Sequence, residues 1–170
     1  SYFEKDTLGG EDLYSASKAC AELVFESYHK SFLLKNKKLT YATTRAGNVI
    51  GGGDMKKNRI VPDVIKSLKN KSPLIIRSPD STRPWQHVLE PISGYLKLGE
   101  MLINKKLSNS IKPNWNFGPN TINCRTVINV VKEIINCWGV EKKIKIIKNK
   151  EFKEAKLLMI SNHKAKKELN

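Results

Sequence analysis

The sequence predicts an α/β protein whose strands run mainly parallel. Short runs rich in β-branched and aromatic residues alternate with longer segments whose apolar residues recur at helical spacing. Turns containing glycine or proline separate the two kinds of segment. The length of 170 residues suits one domain of ordinary size, and 39% hydrophobic with 28% charged residues suits a folded globular chain.

The first third of the chain predicts a helix, a strand, a turn and a second helix. Residues 14–34 predict a helix, because apolar residues recur at helical spacing without glycine or proline: Ala21, Val24, Phe25, Tyr28 and Phe32. Residues 39–44 predict a short strand that runs into a glycine-rich turn over residues 47–54. Residues 60–68 predict a helix, since Pro62 is acceptable in a first helical turn.

The rest of the chain continues the alternation. A short extended stretch over residues 86–88 leads into one helix, and an apolar stripe ending at Trp138 identifies another, which we expect to face the core. The remaining predicted strands are residues 74–77, 115–117 and 143–147, and the remaining predicted helices are residues 90–103, 127–138 and 162–169.

The net charge of +15 is the feature most open to misinterpretation. Lysine supplies nearly all of the excess, and the lysines are scattered among Asn and Ile, as on a solvated surface. A basic nucleic-acid-binding domain is the alternative from a different class, but no recognised binding motif accompanies the charge. The chain has only five arginines, and four are candidate phosphate ligands because they fall in one stretch: Arg45, Arg59, Arg77 and Arg83.

The sequence also predicts the cellular compartment and whether the chain is part of a longer protein. No apolar run approaches the roughly 20 residues that a membrane-spanning helix needs. The three cysteines, Cys20, Cys124 and Cys137, form no C-x-x-C pair, so we expect reduced thiols and a cytoplasmic protein. The chain begins at Ser1 without Met or a signal peptide, and we therefore expect that it starts within a longer protein.

Tyr14 and Lys18 are the candidate catalytic residues. Residues four apart lie on one face of a helix. A lysine ammonium beside a phenol stabilises the phenolate, which makes tyrosine a usable acid or base. In a chain so rich in lysine the spacing alone fits an amphipathic surface pair equally well, and the surrounding sequence has to decide.

Two further segments are candidates for binding. Asn48 opens the turn that contains Gly51, Gly52 and Gly53, a run that permits close approach of the backbone to a ligand. A plain flexible loop is the alternative for such a triplet. Arg83 is the strongest of the arginines, against the alternative of an exposed turn residue, and Arg59 and Arg45 rank below it.

Two other residues in the sequence, His87 and Cys20, are weaker candidates for a functional role. His87 has Glu90 as its only close acid, which is too few ligands for a metal site, so we expect a structural histidine and no metal. Cys20 lies on the Tyr14 helix without an evident histidine partner, which argues against a nucleophilic role.

Four motifs in order decide the interpretation of Tyr14. Residues 9–22, 45–54, 59–63 and 83–89 together resemble the extended short-chain dehydrogenase/reductase superfamily, and their wording most resembles its CDP-glucose 4,6-dehydratase family. The resemblance extends over nearly the whole chain, including residues 115–119 and the terminal residues 154–158. One departure is Leu13, where the family pattern has proline, and we expect a softer helix start there.

The resemblance implies a mechanism for this chain. Tyr14, as phenolate, would take the proton from the sugar 4-hydroxyl while hydride passes from C4 to NAD, and Lys18 would hold the nicotinamide ribose and keep Tyr14 ionised. Water would leave across C5 and C6 and the hydride return to C6, which gives CDP-4-keto-6-deoxyglucose for bacterial surface polysaccharide. Because the cofactor is regenerated, the net reaction is that of a lyase. Asn48, Arg59, Arg83 and Arg45 would bind the sugar nucleotide, with Arg83 on the diphosphate.

The resemblance also implies how the chain is organised. Residues 1–50 would end a Rossmann-type, doubly wound NAD-binding domain, and residues 51–170 would form most of the smaller substrate-binding region, with strands that return to the sheet. The sequence has no glycine-rich pyrophosphate motif after any strand, so we expect the chain by itself to be inactive.

Several features stay open at this stage. The family's assisting threonine and its elimination acid and base would lie before residue 1. A homodimer through the Tyr14 helix is the implied assembly. Another NAD-dependent dehydratase or epimerase of the superfamily is the near alternative.

Overall fold

The computed structural model describes residues 1–10, 12–36, 39–107, 113–147 and 157–169. Residue 11 and residues 154–156, which belong to two of the motifs quoted above, lie outside these ranges. The helices are α1 (Leu13–Tyr28), α2 (Ile60–Lys69), α3 (Leu89–Ile103), α4 (Val127–Trp138) and α5 (His163–Leu169). The strands are β1 (Thr43–Ala46), β2 (Asn48–Ile50), β3 (Leu74–Ile76), β4 (Thr82–Arg83), β5 (Trp85–His87), β6 (Asn114–Phe117), β7 (Arg125–Thr126) and β8 (Ile144–Ile146).

The strands form four pairs in the described part of the chain. β1 pairs with β6, β2 with β5 and β3 with β8, all three in parallel, whereas β4 and β7 are antiparallel. Parallel partners must be joined by a crossover, and the intervening helices supply it. The predicted α/β class with mainly parallel strands is confirmed.

Two hydrophobic clusters support these pairs. The first lies where α2 and α4 cover β3 and β8, and its buried members are Val64, Leu68, Leu74, Ile76, Val131 and Ile135. The second lies where α3 and α5 cover β6, and its buried members are Leu98, Trp115, Phe117, Ala165 and Leu169. Burying an aliphatic side chain contributes about 1.5–3 kcal/mol. The predicted division near residue 50 stays a prediction; β6, which follows it, pairs with β1, which precedes it.

Strand boundaries around the glycine-rich segment differ from the prediction. The strand predicted at residues 39–44 begins only at Thr43 and continues to Ala46. The segment predicted as a turn from residue 47 contains β2, because Val49 and Ile50 suit an extended strand that pairs with β5. The glycine turn therefore begins at Gly51.

The apolar stripe of α1 and the last residue of the α4 stripe are exposed. The helix predicted over residues 14–34 is α-helical to Tyr28 and continues as a π-helix, His29–Leu33. Val24 on this helix is 68% exposed and Phe32 63% exposed, so the apolar stripe of α1 faces outward in this chain. Trp138, expected in the core, is 43% exposed at the end of α4, where Gly139 ends the helix in the left-handed conformation.

Candidate active site

Asp12 defines the start of α1 and hence the position of Tyr14. The Asp12 carboxylate accepts hydrogen bonds from the hydroxyl of Ser15 at 2.6 Å and from its backbone N–H at 2.9 Å. These bonds, the hydroxyl first, hold the pKa of Asp12 below its ordinary value. Leu13 occupies the position where proline was expected, so a side-chain cap, not a proline ring, organises the first turn.

Tyr14 and Lys18 lie side by side on the first two turns of α1. The Lys18 ammonium Nζ is 5.5 Å from the centre of the Tyr14 ring. Tyr14 is 72% exposed, so the residue is accessible in the described part of the chain. The predicted adjacency of the two side chains is therefore present, while their catalytic role stays a prediction.

The direction of α1 relative to β1 follows from two contacts. The Tyr41 ring, just before β1, lies 4.1 Å from the His29 ring and 5.9 Å from the Phe25 ring, between centroids. Further along the strand, Arg45 contacts Glu22 of α1 through both carboxylate oxygens. The earlier residue Tyr41 contacts the later part of the helix, whereas the later residue Arg45 contacts the earlier Glu22. The helix α1 and the strand β1 are therefore antiparallel.

This direction places Tyr14 near the carboxyl end of β1. Tyr14 lies two helical turns before Glu22, a rise of about 12 Å. From Arg45 to Asn48 the extended chain advances about 10 Å in the same direction. Tyr14 therefore comes close to the level of Asn48 along the strand direction, so a catalytic candidate and a binding candidate lie towards the same end of the strand.

Arg45 itself faces the helix. Its guanidinium forms a two-point ion pair with Glu22, and the two side chains are only 22% and 23% exposed. A planar fork on a carboxylate is the strongest form of this contact. The predicted substrate-binding role of Arg45 stays untested, and the contact that it makes favours support of α1 over a ligand.

Asn48 is the first residue of β2 and lies opposite Trp85 of β5. The neighbouring glycines explain how closely these strands pack. A Cβ on Gly47 would lie 2.5 Å from the carbonyl oxygen of Pro84, and one on Gly51 would lie 2.9 Å from a methyl group of Val88. The first glycines of the segment are thus required by strand packing.

Arg59 stands at the amino end of α2 and stabilises the loop before it. Its guanidinium donates to Asp54 at 2.9 Å, and the backbone N–H of Lys56 donates to the other Asp54 oxygen at 3.1 Å. Both bonds, that of Lys56 first, hold the pKa of Asp54 below its ordinary value. Asn58 adopts a left-handed φ of 64° and accepts a hydrogen bond from Arg77.

Arg83 is joined in the structure by an arginine that the sequence did not single out. In the antiparallel pair of β4 and β7, Arg83 lies directly opposite Arg125. Trp85 Nε1 donates to the Arg125 carbonyl oxygen at 3.0 Å, which connects this pair to the strand opposite Asn48. Arg125 is the fifth arginine of an arginine-poor chain, and this rarity was the signal available in the sequence.

The structure shows His87 and Cys124 in structural settings. His87 Nδ1 accepts a hydrogen bond from the backbone N–H of Leu89 at the start of α3. Burial raises the pKa of the Cys124 thiol, which disfavours its thiolate. Within the described ranges, no three His, Cys, Asp or Glu side chains group as metal ligands, and no helix is long and apolar enough to span a membrane.

A curated relative matches most of the chain. CDP-glucose 4,6-dehydratase of Salmonella typhimurium (strain LT2) is 44% identical over 142 residues, which are 81% of this chain and 39% of that protein. The chain thus spans well under two thirds of the length of this relative.

Solved structures share the fold. A dTDP-glucose 4,6-dehydratase from Bacillus anthracis in complex with NAD matches with a TM-score of 0.76 and 24% identity, over 98% of this chain and 48% of that one. A UDP-glucuronic acid 4-epimerase from Bacillus cereus, in complex with UDP-glucuronic acid and NAD, matches with a TM-score of 0.75 and 21% identity, over 98% of this chain and 51% of that one. At this level of identity the likeness shows the fold alone.

The family follows from these matches and from the motifs around Tyr14. The model of the NAD dependent epimerase/dehydratase family matches residues 2–110, which include α1, the glycine turn and β4. The chain therefore belongs to the NAD dependent epimerase/dehydratase family.

Proposed function

We propose that the protein containing this chain is an NAD-dependent CDP-glucose 4,6-dehydratase that makes CDP-4-keto-6-deoxyglucose for bacterial surface polysaccharide. The observation that carries the proposal is the open Tyr14–Lys18 pair, close to the level of Asn48 at the carboxyl end of β1. Relatives of the same family act on several nucleotide sugars. The choice of cytidine rests on the 44% identity with the Salmonella enzyme.

The residues of the pair fit NAD in their donor set. Lys18 offers an ammonium and Tyr14 a phenol at an exposed helix start, where a ribose hydroxyl and a sugar hydroxyl can both reach them. Bound there, NAD would supply a reversible hydride acceptor for C4 of the sugar.

Each candidate residue then has a defined task. Tyr14, as phenolate, accepts the proton of the sugar 4-hydroxyl and becomes a neutral phenol, and Lys18 stabilises the phenolate before this transfer by its proximity. Asn48 hydrogen-bonds the sugar nucleotide, and Arg83 binds its diphosphate. Arg59, ordered by Asp54, is a second cation for the substrate, and Arg45 acts through Glu22 to hold α1 in place.

Tyr14→Phe in the full-length protein tests this assignment. The variant keeps the ring but loses the hydroxyl, so we expect turnover of CDP-glucose to fall by about three orders of magnitude or more while binding of CDP-glucose is retained. Turnover is followed through the 4-keto product and binding by calorimetry. Tyr28→Phe, on the same helix but away from the pair, serves as the control; wild-type-like turnover of Tyr14→Phe would refute the role of Tyr14.

A sister activity is the second candidate, because solved 4-epimerases match this fold as closely as dehydratases do. The product distinguishes the two. A dehydratase releases a 4-keto-6-deoxy sugar, whereas an epimerase returns a sugar with its 6-hydroxyl intact.

A homodimer through α1 and a cytoplasmic location complete the proposal. The outward-facing apolar residues of α1 support the first, since a face with Val24 and Phe32 exposed calls for a partner surface. The second is supported by the cysteines, which are free in the described ranges.

A further inference from the structure

A single glycine separates two strands that belong to different pairs. β1 ends at Ala46 and β2 begins at Asn48, so Gly47 alone connects them. β1 pairs with β6 and β2 pairs with β5, and the chain therefore crosses from one strand pair to the other at Gly47. The contacts at this crossing point determine the direction in which β2 leaves β1, and with it the position of the Asn48 side chain.

The carbonyl oxygen of Phe117, at the end of β6, holds the crossing point. It accepts a hydrogen bond from the backbone N–H of Gly47 at 2.9 Å and another from Gln86 Nε2 at 3.0 Å. A carbonyl oxygen has two lone pairs, and these two bonds use both of them. The Gln86 amide thus connects the middle of β5 to the end of β6, beside the glycine where the two strand pairs meet.

Gln86 points away from the face of β5 that is next to the predicted ligand. In the parallel pair of β2 and β5, Asn48 lies opposite Trp85 and Val49 lies opposite Gln86. Successive side chains of a strand point to opposite faces, so Gln86 lies on the face opposite to that of Asn48 and Trp85. Gln86 can therefore affect a ligand on the Asn48 face only through the strands that it connects.

An amide at position 86 supplies a direction that an apolar side chain would not. Gln86 is only 9% exposed, and burial of an amide is unfavourable unless the amide is hydrogen-bonded. A hydrogen bond to a carbonyl oxygen requires a short distance and a nearly linear N–H···O angle, whereas apolar contacts have no preferred direction. The bond from Gln86 to Phe117 therefore restricts how β5, and β2 paired with it, can move relative to β6.

We infer that Gln86 is a positioning residue, which fixes Asn48 at the carboxyl end of β1 so that Asn48 can hydrogen-bond the sugar nucleotide. This inference rests on the proposed function. The catalytic pair lies on α1, which the ion pair of Arg45 with Glu22 holds in place. Loss of the Gln86 bond should therefore weaken binding of the substrate and leave the chemical step largely intact.

Gln86→Met in the full-length protein tests the inference. Methionine has a similar length and volume but no N–H to donate. The dissociation constant of CDP-glucose, measured by calorimetry, should rise by about 3- to 10-fold, as expected for one lost hydrogen bond. The kcat should stay within about twofold of wild type. Gln86→Asn keeps the amide but is one carbon shorter, and should show the same weaker binding with retained kcat.

A double variant distinguishes positioning from a general loss of stability. Asn48→Ala removes the ligand contact itself, so Gln86→Met should weaken binding no further in that background. Val131→Ala is the matched control, because it shortens a fully buried side chain of α4 in the first hydrophobic cluster. Its thermal midpoint should fall while the dissociation constant of CDP-glucose stays unchanged.

The possible results separate the role of Gln86 from the proposed function. An active protein in which Gln86→Met binds CDP-glucose as wild type does would overturn the role of Gln86. So would effects of Gln86→Met and Asn48→Ala on binding that simply add. A full-length wild type that neither binds nor converts CDP-glucose would overturn the proposed function. If Gln86→Met does not fold, Gln86→Asn decides by the same measurements of binding and kcat.

Discussion

The position of Tyr14 depends on a single capping residue. Asp12 bonds both the hydroxyl and the N–H of Ser15, and no proline presets the turn because Leu13 takes that place. The missing proline predicts a softer helix start, and the Asp12 cap acts against that effect. An aspartate N-cap satisfies a backbone donor that would otherwise lack a partner, and its charge favours the helix amino end.

The cap makes the start of α1 sensitive to acid. The pKa of Asp12 is lowered from about 3.8 in the folded chain, so its ionised form stabilises the fold at pH values above that figure. The contribution is lost as the pH falls below it towards the folded-state pKa. We expect the difference in thermal midpoint between wild type and Asp12→Ala to be present at pH 7 and to shrink steadily below pH 4.

Asp12→Asn provides the control for this prediction. Asparagine keeps a capping oxygen but does not titrate, so its midpoint relative to Asp12→Ala should not depend on pH in this range. A difference between wild type and Asp12→Ala that is the same at pH 7 and pH 3 would contradict the role of the charge.

Local sequence was enough to predict some of the site residues and not others. Tyr14 and Lys18 lie on one helix, where spacing alone determines which side chains meet. Arg125 is positioned by a hydrogen bond from Trp85, forty residues away in sequence, and by its place in the two-residue strand β7. No local pattern distinguishes such a strand from a turn, and the pairing that defines it is not local.

At the level of elements, the ion pair between Arg45 and Glu22 holds α1 against β1. We expect Glu22→Gln and Arg45→Gln each to lower the free energy of unfolding by about 1.5–3 kcal/mol, the range for hydrogen bonds to charged groups. Both should lower kcat for CDP-glucose by a similar factor with little change in KM, because each displaces the helix that carries Tyr14. The measurements are denaturant unfolding and steady-state kinetics of the full-length protein.

The double variant tests whether the two residues act as one. If Arg45 acts through Glu22, the double variant should lose no more free energy of unfolding and no more kcat than either single variant. A large rise in KM for Arg45→Gln, with Glu22→Gln close to wild type, would instead assign Arg45 to the substrate.

Helices with an apolar stripe over several turns were predicted correctly from the sequence. The shortest strands, which are defined by pairing with a distant strand, were not. The helices at residues 60–68, 90–103 and 127–138 match α2, α3 and α4 because an apolar stripe identifies each over several turns. Strands β4 and β7 are only two residues long, too short for alternation to show. β2 is predicted as part of a turn because the glycines on either side of it, which permit close strand packing, also occur in loops.

At the scale of the molecule, the outward face of α1 predicts assembly. Val24→Glu with Phe32→Glu should convert a dimer into a folded monomer, because two charges would be buried at the contact. Light scattering after size exclusion would then give half the wild-type mass. Ile103→Glu on α3, an apolar residue that is 78% exposed, is the matched control and should remain dimeric.

A different partner for this face would give a different result. If another segment of a longer chain covers α1, the double variant should lose its cooperative unfolding transition instead of becoming a stable monomer. Wild-type protein that is monomeric at micromolar concentration would contradict the dimer.

The antiparallel course of α1 and β1 determines which lengths of the chain can vary in evolution. One residue inserted between Tyr14 and Glu22 would turn Tyr14 by about 100° around the helix, away from its present direction. One residue inserted between Arg45 and Asn48 would reverse the side to which the Asn48 side chain points. An insertion between the end of the π-helix and Tyr41 would change neither of these two relationships, and so insertions and deletions among relatives should collect there.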